Sequence, residues 1–64
     1  MTVIEILQSL KLEAERLLAP LDAGAARIYE ISTTGALVER TVQMREFYQN
    51  LCRQLQRGIE LLHR

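Results

Sequence analysis

The chain has 64 residues, of which 48% are hydrophobic, and its eight Lys and Arg balance eight Asp and Glu. That length holds one domain, residues 1–64, and excludes a multi-domain enzyme with a deep substrate cleft. The composition excludes a disordered tail, and the zero net charge removes any overall pull toward a polyanion.

Thr2 followed by Glu5 reads as a capping box, with Met1 and Ile6 placed for a hydrophobic staple. Val3, Leu7, Leu10, Ala14, Leu17 and Leu21 then recur at alternating steps of four and three, which predicts an amphipathic helix over residues 3–19. Pro20 is expected to stop or kink it, because proline lacks the N–H and crowds the Arg16 carbonyl. Asp22 is a candidate N-cap for a short, weaker helix over residues 23–32. The break falls at Ser32-Thr33-Thr34-Gly35, where Gly35 can end one helix and a threonine can cap the next. Residues 36–63 read as one long helix with Leu37, Thr41, Met44, Tyr48, Leu51, Leu55, Ile59 and Leu62 along a narrow arc. A rival reading turns residues 27–42 into a β-hairpin at Thr33-Thr34-Gly35. It is disfavoured because a lone hairpin has no other strands to join.

The fold class expected is therefore all-α: a helical hairpin, its first arm kinked at Pro20 so that it counts two or three helices. At this size hydrophobic burial barely offsets the entropy of ordering. One hairpin also leaves much of both apolar arcs open, so two copies are expected to pack as a dimeric four-helix bundle with coiled-coil-like seams. In architecture alone this plan resembles the plasmid copy-number regulators, and nothing follows from that for individual residues.

Catalysis finds little to work with. The one histidine, His63, lies eleven residues from the one cysteine, Cys52, so the two cannot meet along a helix. Scattered carboxylates with one His and one Cys do not make a metal site, and no glycine-rich phosphate loop is present. No catalytic, metal or cofactor-binding residue, no cofactor and no small-molecule substrate is expected: the chain reads as no enzyme. Cys52 cannot form an internal disulfide, no run is long and apolar enough for a membrane, and no signal-peptide pattern opens the chain, so a cytoplasmic location is expected.

Binding is what remains. The expected protein interface comprises Val3, Leu7, Leu10 and Leu17 on the first helix, and Phe47, Leu51 and Leu55 on the last. Val38 and Val42 form a second small patch off the seam, four residues apart. The function these imply is a small regulatory interaction module (adaptor, inhibitor or co-chaperone) that homodimerises and engages a protein partner. The alternative is a small nucleic-acid-binding regulator. Residues 25–40 resemble a degenerate helix-turn-helix, with Glu30 where the turn glycine belongs, and Arg53, Arg57 and Arg64 line one face of the last helix.

Overall fold

The computed structural model describes residues 1–63. Four elements follow in order: α1 (Val3–Asp22), β1 (Tyr29–Ile31), β2 (Leu37–Glu39) and α2 (Thr41–Leu62). This is a two-helix protein with a small antiparallel strand pair between the helices.

The start of α1 follows from its cap. Thr2 holds extended backbone (φ −84°, ψ 162°) and its hydroxyl accepts the Glu5 N–H at 3.2 Å, satisfying one of the donors that a helix start leaves free. The Glu5 carboxylate returns to the Thr2 hydroxyl at 3.2 Å rather than to a backbone N–H. The staple does not form, since Met1 is 93% exposed.

Pro20 does not stop the helix. It deletes one bond, to the Arg16 carbonyl, in what is already the last turn, and α1 runs on through Asp22. Asp22 is thus a C-terminal residue and not an N-cap; its carboxylate accepts from Gln49 Nε2 at 3.0 Å, tying the end of α1 to α2. The helix closes in a Schellman turn: the Ala25 N–H donates to the Pro20 carbonyl at 2.9 Å and the Gly24 N–H to Leu21 at 3.3 Å. Gly24 sits at φ +71°, a conformation in which a Cβ would crowd the backbone.

No helix forms over residues 23–32, and none begins at residue 36. The disfavoured hairpin is the structure there. Tyr29 pairs with Glu39, Glu30 with Val38 and Ile31 with Leu37. Two flanking bonds extend the ladder, Arg40 N–H to Ile28 O at 2.7 Å and Ser32 N–H to Ala36 O at 2.8 Å. The turn is the one at Thr33-Thr34-Gly35: the Gly35 N–H donates to Ser32 O at 2.9 Å, with Gly35 at φ +84°. Ion pairs brace both faces of this arm, Arg27 to Glu39 at 3.2 Å and Arg40 to Glu30 at 3.1 Å.

Chain direction reverses into α2 at Arg40, which supplies no side-chain cap. The Thr41 hydroxyl instead accepts the Ile28 N–H at 3.0 Å, fastening the base of the arm to the first turn of α2. The molecule measures 48 × 25 × 17 Å. Twenty-two helical residues account for about 33 Å of that length at 1.5 Å each, so the arm projects well beyond the helix pair. Only Ala14, Leu21 and Ile59 are buried among the described residues, all along the line where α1 meets α2.

Candidate functional site

Two antiparallel helices lying side by side make a slab one helix thick, and its two faces differ. The residues that turn inward on α1 are Leu7, Ala14, Leu18 and Leu21; on α2 they centre on Leu55 and Ile59. Leu7 packs against α2 at Gly58: a Cβ built there would stand 3.5 Å from Leu7 Cδ1.

On one side of that line the helices flank an apolar groove of about 180 Å³, lined by Leu10, Glu13, Ala14, Leu17, Tyr48, Leu51 and Leu55. Glu13 is its only charged wall, and it is turned to Arg16, whose Nε donates to its carboxylate at 3.1 Å. That hydrogen bond holds the Glu13 carboxyl below its ordinary value, against the opposing effect of desolvation and with a smaller contribution from the guanidinium charge. Phe47 meets Tyr48 edge to face, with ring centroids 5.4 Å apart, and so extends the groove toward the arm. Its apolar walls stay open to water: Leu10 is 51% exposed, Leu17 43% and Phe47 56%. At 100° per residue, Val3 and Ile6 continue the same side of α1 toward its start.

The opposite side carries a wider, shallower trough of about 640 Å³ bounded by Gln8, Lys11, Leu12, Glu15, Gln56, Ile59, Glu60 and His63. Two pairs of its polar groups join along the helices. Lys11 pairs with Glu15 at 3.5 Å, and Gln56 Nε2 donates to Glu60 at 3.1 Å. Among the described residues no three His, Cys, Asp or Glu side chains come together as metal ligands. Cys52 is half-buried on α2.

The structure divides the expected interface. Leu10, Leu17, Leu51 and Leu55 line the groove and Phe47 flanks it against Tyr48, whereas Val3 lies exposed beyond it at the start of α1 and Leu7 is spent between the helices, against Gly58. Val38 and Val42 do not form a helical pair. Val38 is the middle of β2, opposite Glu30, and Val42 opens α2 about 140° around that helix from Phe47. The degenerate helix-turn-helix of the alternative reading over residues 25–40 does not form either, because Leu37, Val38 and Glu39 form a strand where the recognition helix would start. Arg53 and Arg57 lie exposed on the side of α2 away from α1; Arg64 lies outside the described residues.

One surface went unread in the sequence. Strand alternation puts Tyr29, Ile31 and Leu37 on one face of the arm, exposed by 49%, 72% and 67%. The signal was present in Tyr29 and Ile31 two apart before a Gly-containing turn, but three residues are too few to separate a period of 2 from one of 3.6. No family model, curated protein or solved structure matches this chain. Among the described residues no helix is long and apolar enough to cross a membrane.

Proposed function

We propose that this chain is a cytoplasmic protein-interaction module, of the adaptor, inhibitor or co-chaperone kind, that engages its partner through the Leu10/Leu17/Phe47 side of the helix pair. The observation that carries this reading is the asymmetry of the slab. The groove side gathers Leu10, Leu17 and Phe47, each about half open to water, whereas the other side sets a lone exposed Leu12 among the Lys11–Glu15 and Gln56–Glu60 pairs. Monomeric soluble proteins rarely leave contiguous apolar patches of that kind uncovered. Among the described residues no arrangement of nucleophile, base and orienting group competes with it, and the chain is read as no enzyme, with no cofactor.

The test is photo-cross-linking in the source cell. A benzophenone side chain at position 47 should yield a discrete covalent adduct, and the same group at position 12, on the polar side, should not. Equal yields from both positions, or none from position 47, would refute the reading. Nucleic-acid binding through Arg53 and Arg57 is the second reading, favoured only by their shared outward face. A salt-dependent mobility shift abolished by reversing both charges would establish it instead.

A further inference from the structure

Resting on that reading, we infer that the occupant of the apolar side is a second copy of this chain, packed face to face about a two-fold axis. The first argument is area. A chain of this mass folded as a compact monomer exposes about 4,200 Å². This one exposes 5041 Å². The surplus, about 840 Å², equals what one partner contributes to an interface of standard size, about 800 Å².

Shape says the same. A slab 25 Å wide and 17 Å thick is half of a two-layer structure. Adding a second layer at the 8–10 Å spacing of packed helices gives a cross-section of about 25 × 26 Å, the proportions of a four-helix bundle.

Two features favour a copy over a foreign chain. The three residues buried among those described are too little core for a domain to persist alone, so the cover has to be present whenever the chain is. Only the chain itself is always supplied in that proportion. The groove side is also free of the single-signed rim that would select a charged partner: Glu13 is neutralised by its own Arg16, and the whole chain carries no net charge to oppose self-association. A two-fold operator then satisfies both faces at once and leaves no open end.

Sedimentation equilibrium of the purified full chain should give a mass near twice 7.4 kDa. Leu17→Lys should abolish the dimer, and Leu12→Lys, on the polar side, should preserve it. Because Leu17→Lys can unfold once uncovered, the benzophenone at position 47 supplies the second measurement. In the purified protein it should join two copies, with attachment mapping to Leu10, Leu17 or Leu51, and at position 12 it should join none. A 7.4 kDa species with an intact helical spectrum overturns the inference, as does a dimer cross-linked equally from position 12. If the purified chain is monomeric yet position 47 captures a foreign protein in the cell, the second copy is refuted and the binding reading stands. If position 47 captures nothing in either setting, both fall.

Discussion

Gly58→Ala should stabilise the protein, and by a calculable amount. Gly58 lies inside α2 with helical backbone, where glycine is less favourable than alanine by about 0.8–1.0 kcal/mol. The new methyl would meet Leu7 Cδ1 at 3.5 Å, an ordinary van der Waals distance, so no strain offsets the gain. Removing part of that methyl from water adds a few tenths of a kcal/mol, taking about 0.8 for a fully buried CH₂. The total, about 1 kcal/mol, corresponds to a rise in Tm of about 4–8 °C for a domain of this size. Thermal unfolding followed by far-ultraviolet circular dichroism reads it, with parent and variant at one chain concentration so that association does not confound them. Gly24→Ala is the matched control. It has open space around it, unlike Gly58, but its φ of +71° makes a Cβ costly by about 1–2 kcal/mol, so its Tm should fall. A Gly58→Ala protein that melts at or below the parent would refute the reasoning. It would show that something other than Leu7 stands close to that backbone.

Leu55→Ala should cost about 2–5 kcal/mol if a second layer covers the groove, and less if Leu55 stays half-buried as in the single chain; Arg57→Ala, exposed on the outer side of α2, should change stability by under about 0.5 kcal/mol in chemical denaturation. Cys52→Ala should leave the assembly mass unchanged with at most a modest drop in Tm, because a half-buried thiol here acts as a small hydrophobe; loss of the dimer in a folded variant would assign Cys52 a larger part. Arg16→Ala should raise the titration midpoint of Glu13, observed by carboxyl NMR. Since the folded Glu13 value lies below its unfolded one, the stability it contributes is present above the unfolded value and is lost as pH falls through the folded one, a loss that Arg16→Ala should remove.

The helices were legible in the sequence because their signals are long and redundant. Thr2 and Glu5 mark a start, and five turns of apolar spacing outweigh a single proline that happens to sit in the last turn. Pro20 misled because its sequence effect is the same wherever it falls in a helix, whereas its structural effect depends on how many bonds lie beyond it. The arm was lost for a different reason. Leu37 and Thr41 keep the phase of the α2 stripe by coincidence, so the helical pattern runs backward into a strand. The hydroxyl of Thr41, which reads as a cap, serves Ile28 across the base of the hairpin, a contact between residues thirteen apart that no local pattern encodes. The groove side was partly visible, since Leu10, Leu17, Leu51 and Leu55 follow from spacing alone. That Leu7 is used within the chain while its neighbours in the same stripe are not depends on the crossing of the two helices.

The arm leaves two bare strand edges in solution, which is the usual seed for fibrous growth. Its own ladder uses the backbone of Ile28, Ser32, Ala36 and Arg40, so alternation turns the unpaired groups of Tyr29 and Ile31 to one edge and of Leu37 and Glu39 to the other. Two positions per edge are far short of the six or seven residues from which stacked-strand assemblies are built. Charged side chains already committed to partners, Arg27 with Glu39 and Arg40 with Glu30, flank both strands toward the base of the arm. Ile31 and Leu37 can therefore stand open to water on a sheet too short to propagate. Lengthening the strands by a further apolar pair at the turn would remove that protection and should make the chain prone to form insoluble fibres.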